Sequence, residues 1–395
     1  MSVSFVDVVI TPLKTDGVYG DPVNVFDYLI KGSISKIMQS IDHGDFDIGL
    51  YTYSDLTIKM SNEDGIFNSD KYSSSMFYYT RDRALVDITF VDEQSNSTFL
   101  YKGLINDEST KQDFGSRSRP SSVSLRVLSL DSILRKTIVP GGLLKNGQSF
   151  SSALKTLLNR PAITTILNYD ESKINPKLDL TLDNVESFSG EETKSVLEDV
   201  LNASVSVFSI DDTNTMVVSS RDVKPITQKE FFANDRKGRD NLVTFKKFND
   251  GLQRTFNSVK INNTNVNDPL FVERYGARVK KFDWDFITNP NTERTIASAI
   301  VEEFKLPKRE LELVTKFSFS EEMMILDPVS VLIDKVSLPS DNAERIPNYD
   351  SAKYDQDIYP YVRDGLRIDA GIKWKVTAIT RDTKSFLTTL RLREV

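Results

Sequence analysis

The sequence predicts a β-rich α+β protein, with two antiparallel β-barrel domains and a small α/β insert domain between them. Three observations support this fold class. Apolar and polar residues alternate over residues 55–61, which is the period of a strand with one buried face. Between residues 150 and 201 the apolar residues recur at helical spacing instead. Strand-like segments bounded by turn residues then return from Leu242 to Leu392.

The first predicted domain, residues 1–136, is an antiparallel barrel or sandwich. Its clearest strand lies between turn-forming segments and should bury Leu56, Ile58 and Met60. Residues 28–41 fit either a helix or a strand, and the pattern leaves both open. An aromatic loop follows the strand at 55–61. Further strands are predicted at residues 3–10, 85–91, 98–105 and 123–130.

The second predicted domain, residues 137–238, is a small α+β module. A helix carries an apolar stripe from Phe150 to Leu158, and Pro161 is expected to stop it. A second helix is expected to begin at the capping-box pattern of residues 189–192. A hairpin of residues 204–210 and 215–219 follows, and the charged run 235–240 is interpreted as a linker.

The third predicted domain, residues 239–395, is the second barrel. It should contain a helix at about 290–305, capped by Asn289 with Pro290 in its first turn. A polar loop at about 339–371 is long enough to suggest a binding role. The predicted strands are 242–248, 257–261, 311–319, 329–333, 374–379 and 386–392.

Composition excludes several function classes. The chain of 395 residues has no cysteine, so disulfides, thiolate catalysis and cysteine metal sites are excluded. Its net charge of −7 opposes nucleic-acid binding, although acidic walls would suit a channel through which DNA slides. No apolar run has the length of a membrane helix, and residues 1–13 lack the basic flank of a signal peptide. We expect no cofactor and no membrane insertion by this chain.

Two groups of residues could carry chemistry. His43, the only histidine, lies among Asp42, Asp45 and Asp47, but a solvated turn is the commoner role for such a histidine. A transition-metal site would have to be all-carboxylate. Segments 62–65 and 211–214 lack the ligand spacing of a calcium loop and fit hairpin turns.

Asp283 and Asp285 flank Trp284 and would share a face of a strand, as a hydrolase carboxylate pair could. The solvated side of a strand is the commoner explanation. The sequence has no phosphate loop, dinucleotide fingerprint or nucleophile elbow. We therefore predict no enzyme, no catalytic residues and no metal ligands.

The aromatic loops are the candidate interface. Tyrosine contributes a large contact area with a polar tip, which favours it in interfaces. The alternative is that these side chains fold back over their own barrels, and the sequence favours neither reading. The residues are Phe77, Tyr78, Tyr79, Tyr349, Tyr354, Tyr359 and Tyr361.

An internal similarity suggests a duplication. Residues 101–105 and 124–127 resemble residues 374–379 and 389–392, and both second segments contain a Leu-Arg step. Chance similarity between two hairpins is the alternative.

Several segments resemble bacteriophage tail baseplate hub proteins. Residues 32–36, 46–49 and 55–65 resemble the first domain of that family, as do residues 101–105 and 124–128. The second half of such proteins is similar to four later segments, residues 256–261, 275–278, 292–304 and 326–329.

The resemblance implies a structural virion protein, a homotrimer whose chains each contribute two tube-like barrels. It would adapt the six-fold tail tube or distal tail ring to a three-fold central spike or tip. The lumen would hold the tape-measure protein before infection and pass DNA afterwards. The protein would be assembled into the virion in the host cytoplasm. Because the sequence ends at Val395, we expect any lytic activity to reside in another protein. The rival hypotheses are a receptor- or glycan-binding tail-tip protein and a tail-associated hydrolase using Asp283 and Asp285.

Overall fold

The described part of the chain is rich in β-structure and has a few short helices. The computed structural model describes residues 4–14, 18–30, 32–41, 48–63, 65–67, 83–113, 121–211, 213–222, 229–233, 241–249, 254–320, 323–333 and 372–395. The strands are β1 Phe5–Thr11, β2 Val23–Asn24, β3 Ile37–Ile41, β4 Gly49–Tyr53, β5 Leu56–Ser61, β6 Leu85–Val91, β7 Ser97–Asp113, β8 Ser122–Ser129, β9 Ser206–Ile210, β10 Met216–Ser220, β11 Lys229–Ala233, β12 Leu242–Asn249, β13 Ser258–Ile261, β14 Thr264–Asn267, β15 Val279–Phe282, β16 Glu310–Lys316, β17 Pro328–Ile333, β18 Lys373–Asp382 and β19 Leu387–Glu394.

The helices are concentrated in the middle of the chain. They are α1 Ser132–Lys136, α2 Phe150–Leu158, α3 Pro161–Thr164, α4 Thr193–Ala203, α5 Pro269–Tyr275, α6 Pro290–Phe304 and α7 Phe317–Ser320. Short 3-10 turns lie at Phe26–Tyr28, Glu171–Lys173 and Glu186–Phe188.

The first sheet has the order β2-β1-β6-β7-β8-β5, and all its neighbours are antiparallel. In β5 the side chains of Leu56, Ile58 and Met60 are buried while Thr57 and Lys59 are exposed. This confirms the alternation expected from the sequence, because successive strand residues point to opposite faces.

The first sheet curls around its apolar face. The N–H of Val25 donates to the carbonyl of Val8 in β1 at 2.9 Å, and the N–H of Ile30 donates to the carbonyl of Lys59 in β5 at 3.2 Å. The segment after β2 therefore bonds to strands near both edges of the sheet. The core inside it includes Val8, Ile10, Leu56, Ile58, Val86, Ile88, Tyr101, Leu125 and Val127.

The second sheet contains strands from all parts of the chain. Its main path is β10-β9-β4-β3-β18-β19-β16-β12, and β17 and β11 branch from β18. Asn241, just before β12, links to β11 because its side-chain oxygen accepts the N–H of Phe232 at 2.8 Å. The core on this side includes Phe231, Leu311, Leu313, Val329, Val331, Trp374, Val376, Leu390 and Leu392.

Strands β3 and β4, which we call the ribbon, pair antiparallel with each other in the second sheet. The sequence left this region open between helix and strand, and β3 is a strand. It pairs antiparallel with β18, while β4 pairs parallel with β9. The ribbon therefore joins the second sheet although it precedes β5 of the first sheet. The division into folding units at residues 136 and 238 stays a prediction.

The helical part packs into a third core. The apolar stripe of α2 and that of α4, with Val196, Leu197, Val200 and Leu201, are buried as predicted. Helix α6 begins after Asn289, whose side chain accepts the N–H of Asn291. It packs on the three-stranded sheet β14-β13-β15, and the same core includes Trp284 and Phe286.

Two local predictions were wrong. Helix α4 begins at Thr193 after Glu192, so Ser189 ends a 3-10 turn and does not cap the helix. The prediction that the helix from Phe150 stops before Pro161 is confirmed, since α2 ends at Leu158, and Pro161 itself opens α3 because its fixed φ suits a first helical turn. The predicted strand 311–319 ends at Lys316, and α7 follows it. The predicted linker, residues 235–240, lies outside the described residues.

Candidate functional site

The predicted interface residues lie outside the described part of the chain. Residues 68–82 and 334–371 lie outside the described part of the chain, as do residues 42–47. These ranges contain Phe77, Tyr78, Tyr79, Tyr349, Tyr354, Tyr359 and Tyr361, and also His43 with Asp42, Asp45 and Asp47. Their roles stay predictions.

The Asp283 and Asp285 pair does not lie on a strand. Strand β15 ends at Phe282, and both aspartates follow it in an exposed irregular segment. Trp284 and Phe286 between and after them are buried, with ring centroids 5.6 Å apart. The apolar side chains anchor the segment and leave both carboxylates in solvent, which is the solvated arrangement that the sequence favoured.

The described residues contain no cluster of three or more metal-binding side chains. Within the same residues, no helix is long and apolar enough to cross a membrane.

The two sheets share an arrangement of four strands. In each sheet four strands that follow one another along the chain lie with the first beside the fourth, as β6-β7-β8-β5 and as β17-β18-β19-β16. All neighbours in both groups are antiparallel. We call these groups the first and second four-strand units.

The cores of the two units match in register. In the first unit Ile58 faces Leu125, and in the second Leu313 faces Leu390. The next inward pair is Leu56 with Val127 and Leu311 with Leu392. The similarity between residues 124–127 and 389–392 thus falls on corresponding strands. It places large apolar pairs at corresponding positions on the inner face of each sheet.

The exposed arginine of the Leu-Arg step also corresponds. Arg126 donates to Asp55 at 2.8 Å on the outer face of β8, and Arg391 is exposed on β19. The third inward pair differs: Met60 faces Val123 in the first unit, whereas Thr315 faces Thr388 in the second. The polar pair in the second unit has a local reason, because the buried Thr388 hydroxyl accepts a hydrogen bond from the Ser320 hydroxyl at 2.6 Å.

The long strand of each unit is held at one equivalent residue. Ile105 of β7 accepts from the N–H of Arg83 and donates to the carbonyl of Ala84, both at 2.9 Å. Val376 of β18 accepts from the N–H of Leu326 at 2.9 Å and donates to the carbonyl of Asp327 at 3.1 Å. Ile105 lies one residue beyond the part of β7 that pairs with β6, and it faces Val127. Val376 lies one residue beyond the part of β18 that pairs with β17, and it faces Leu392.

Beyond Val376, β18 receives the ribbon. Strand β3 pairs with it from Ile37 opposite Arg381 to Ser40 opposite Ala378. Lys36 lies 3.5 Å from the carboxylate of Asp382 at the end of this pairing. Burial lowers the pKa of Arg381, and its guanidinium donates to the carbonyl of Met323 at 3.1 Å. The contact between β3 and β18 therefore combines backbone pairing with an ion pair, Lys36 and Asp382, at one end.

A buried cluster of charges joins α6 to β10 and β18. Arg221 is fully buried and donates from Nη1 to Oε1 of Glu303 at 2.8 Å. Its guanidinium lies 4.5 Å from the ring centroid of Phe304. The guanidinium of Arg393 lies 5.8 Å from the same centroid. The Nζ of Lys375 donates to the carbonyl of Arg221 at 2.8 Å.

Burial opposes ionisation of Glu303, but the cations around it prevail. The charge of Arg221 and the hydrogen bond and charge of Lys177 lower the pKa of Glu303 below its usual value. The Nζ of Lys177 donates to Oε2 at 2.8 Å. Sequence analysis missed this cluster because its members are scattered along the chain in unrelated elements.

A second buried carboxyl lies where β8 leads into α1. Asp131 is 1% exposed, and its burial raises its pKa to about 6, although the nearby Ser129 and the charges of Arg135 and Lys194 act in the opposite direction. Burial, and then the charge of Asp131, raise the pKa of the Tyr101 phenol well above its usual value. Burial of both groups therefore favours their neutral forms.

A third acidic group lies on α4. Burial raises the pKa of Asp199 to about 6, and the like charges of Glu198 and Glu191 add to the shift. The neutral form of Asp199 is therefore favoured by its burial and by its acidic neighbours.

An exposed apolar surface lies on α5 and β15. Leu270 is 75% exposed and Val279 is 48% exposed. The rings of Phe271 and Tyr275 are stacked with centroids 6.2 Å apart, and the guanidinium of Arg274 lies 5.2 Å from the Tyr275 ring. Exposed apolar groups with basic neighbours are typical of interaction surfaces.

A shallow cleft of about 520 Å³ lies between the loop after α1 and the turn before α4. Its floor is apolar, and Lys145, Glu186 and Ser189 contribute polar groups to its lining. The volume is that of a small-ligand site, but the described groups do not include a nucleophile paired with a base. The apolar lining consists of Val139, Pro140, Leu144 and Val185.

No protein-family model matches the sequence, and no curated protein matches it either. Solved structures do resemble the fold. A tail protein from Neisseria meningitidis MC58 is similar with a TM-score of 0.57 and 12% identity, over 99% of this chain and 96% of that one. The 43 kDa tail protein of prophage MuSo2 from Shewanella oneidensis has a TM-score of 0.55 and 10% identity, with 99% and 98% covered.

The prophage tail protein gp18 from Listeria monocytogenes EGD-e is similar with a TM-score of 0.51 and 12% identity, over 98% of this chain and 94% of that one. The three similarities extend over nearly the whole chain. They confirm, at the level of the fold, the resemblance to phage tail proteins that the sequence indicated.

Proposed function

We propose that the chain is a structural protein of a phage tail, a trimeric hub at the baseplate or tip of the virion. The observation that carries the proposal is the pair of four-strand units with matching registers. One polypeptide with two such units offers two similar surfaces, which is the minimum that an adaptor between different symmetries requires.

The symmetry argument is geometric. In three chains arranged head to tail, a closed ring would contain six similar units while the assembly keeps true three-fold symmetry. The six units would contact the six-fold tail tube or the distal tail protein. The elements that are not repeated, such as the helical part and the β13–β15 sheet with α6, would contact a trimeric central spike or tip protein.

In this arrangement each unit would form a tube-like barrel. Residues 1–136 would contribute the first, residues 239–395 the second, and residues 137–238 the insert. In support, the segment after β2 bonds to β1 through Val25 and to β5 at the opposite edge through Ile30, and Asn241 before β12 bonds to Phe232 of β11. The ribbon β3–β4 would tie the first unit to the second within one chain.

The lumen of such a ring would hold the tape-measure protein before infection and pass DNA afterwards. A net charge of −7 is consistent with a wall that repels the DNA backbone and lets it slide. The role requires no catalytic group, in keeping with the solvated positions of Asp283 and Asp285.

Mass measurement in solution tests the proposal. We expect an assembly of three times the 44.7 kDa subunit, and electron microscopy of it should show a ring with six lobes. A monomer, or a ring of another multiplicity, would overturn the hub.

Two control measurements separate the rival functions. Binding to glycan arrays that is lost in Tyr354→Ala or Tyr359→Ala would favour the receptor-binding alternative. Digestion of peptidoglycan or polysaccharide that is lost in Asp283→Asn would favour the hydrolase. The hub should show neither activity.

A further inference from the structure

The strand β7 extends beyond its neighbour β6 in the same way that β18 extends beyond β17. Strand β6 accompanies β7 only as far as Leu104, and β17 accompanies β18 only as far as Lys375. One residue later, Ile105 and Val376 make the equivalent pair of backbone bonds described above. From that point the two strands have different surroundings.

The second half of β18 receives a strand. Ala378 to Arg381 pair with β3 on the side that β17 has left. Arg126 faces Asn106 in the first unit as Arg391 faces Ala378 in the second. The edge of β7 that corresponds to the β3-binding edge of β18 therefore begins at Asn106. Among the described residues no strand pairs with that edge of β7 beyond Leu104. On its other edge β8 pairs with Asn106 and again with Lys111 and Gln112, with a break in register between them. A strand edge of this kind can accept a strand from another molecule.

The β14-β13-β15 sheet contains a strand arranged like β3. The ribbon is a hairpin, β3–β4, with the parallel neighbour β9 beside β4. The small sheet is a hairpin, β13–β14, with the parallel neighbour β15 beside β13. In both sets the outer strand, β3 or β14, has an antiparallel partner that in turn has a parallel neighbour, although the two paired strands follow in the opposite order along the chain.

The outer edge of β3 is covered by β18, whereas the outer edge of β14 has no strand beside it among the described residues. The side chains of Asn265 and Asn267 on β14 are exposed. A short polar strand of this kind is suited to reversible pairing, since it exposes no apolar side chain that would promote aggregation.

We infer that β14 of one copy pairs with the edge of β7 at Asn106 in a second copy of this chain. The contact would be the counterpart between chains of the β3–β18 contact within a chain. In a head-to-tail arrangement, alternating the two contacts would close a ring. The inference rests on the proposed trimeric function and names the strands that join its subunits.

The absence of cysteine from the sequence allows a direct test with introduced thiols. Asn106→Cys and Asn265→Cys are made as two separate variants, co-expressed and treated with a bismaleimide that tolerates differences in register. The co-expressed pair should yield a species of twice the subunit mass under denaturing conditions, and neither variant alone should do so. The double variant should yield linked species of up to three chains.

A matched control uses the contact within the chain. Met38 and Thr380 face each other across β3 and β18, so Met38→Cys with Thr380→Cys should link at the mass of one subunit. If that pair links and the protein is trimeric but Asn106→Cys and Asn265→Cys do not link, the strand pairing is wrong and the trimer stands.

Linking of Asn106→Cys to Asn265→Cys only within one chain would also overturn the pairing. If the protein is a monomer and the pair does not link, both the pairing and the proposed assembly are overturned. Fluorescence or circular dichroism of each variant, compared with the parent chain, checks that the substitutions leave the fold intact.

Discussion

Arg83 and Leu326 have the same left-handed backbone conformation at the same place in their sheets, with φ of 66° and 69°. Each lies just before the second strand of its four-strand unit. Each donates its N–H to the residue at which the long strand passes its neighbour, Ile105 or Val376, at 2.9 Å. A positive φ is uncommon for residues with a β-carbon, so its occurrence at both positions reinforces the equivalence of the two units.

The conformation of Arg83 leads to the first prediction. We expect Arg83→Val to destabilise the protein by about 1–3 kcal/mol, because a β-branched residue is strained at positive φ. Arg83→Gly should retain the stability of the parent chain within about 1 kcal/mol, since glycine adopts this region freely. Urea unfolding followed by fluorescence measures both. Equal losses for Val and Gly would mean that the lost side chain, and not the backbone, is responsible.

The alternation in β5 leads to the second prediction. Ile58→Ala should cost about 2–5 kcal/mol, because it removes a fully buried side chain that faces Leu125. Lys59→Ala on the exposed side of the same strand should change the free energy of unfolding by less than about 0.5 kcal/mol. Loss of the trimer in Ile58→Ala without loss of folding would count against burial of this position.

Gly103 leads to the third prediction, since no larger residue fits there. A β-carbon would lie 2.5 Å from the carbonyl oxygen of Leu128 and 2.7 Å from Tyr101 and Val127. Gly103→Ala should therefore destabilise the protein by about 1–3 kcal/mol or more.

The control for Gly103 is Gly141→Ala, where the nearest atom is the Ser189 hydroxyl at 3.0 Å, which can rotate away. It should stay within about 0.5 kcal/mol of the parent in the same thermal or urea unfolding experiment. A tolerated Gly103→Ala would show that β7 and β8 can separate at this point.

The buried carboxyl of Asp131 leads to the fourth prediction. Its pKa of about 6 in the folded chain lies above the value near 3.9 expected when the chain is unfolded. Between these values the folded state binds more protons, so the free energy of unfolding falls as the pH rises from about 4 to about 6. Above this range the full cost of the buried carboxylate remains.

Asp131→Asn should remove this cost. We expect the variant to exceed the parent in stability by about 2–3 kcal/mol at pH 7.5, with the difference shrinking towards pH 4. Urea unfolding at both pH values measures the effect. A variant that is less stable than the parent at pH 7.5 would show that the carboxylate gains more from Arg135 and Lys194 than burial costs.

The pair of Arg221 and Glu303 leads to the fifth prediction. Glu303→Gln should cost about 3–5 kcal/mol, because it leaves the fully buried Arg221 without its carboxylate. Arg221→Met should cost a similar amount, whereas the double variant should lose less than the sum of the two. Urea unfolding of the four proteins measures the coupling. Additive losses would mean that each side chain acts through other neighbours.

The pH dependence of this pair has the opposite sign to that of Asp131. The pKa of Glu303 is lowered in the folded chain, so its contribution is present above its unfolded pKa and is lost as the pH falls through the folded value. In Glu303→Gln the loss of stability on acidification should therefore be smaller than in the parent.

The sequence by itself determined the local elements. The alternation in β5, the apolar stripes of α2, α4 and α6, and the hairpin β9–β10 follow from periods that a few neighbouring residues carry. It also determined the similarity between residues 124–127 and 389–392. The described strands now place that similarity in one register, with Leu125 and Leu390 facing Ile58 and Leu313.

Only the tertiary structure decided which strands are neighbours. Ile37 lies beside Arg381 and Gly49 beside Val207, although nothing in the local pattern of residues 37–53 indicates either partner. The burial of Arg221 beside Glu303 and Phe304 is likewise invisible in sequence, because lone charged residues are normally exposed. The physical reason is that strand pairing and charge burial join residues far apart in the chain, so they depend on the whole fold and not on a local period.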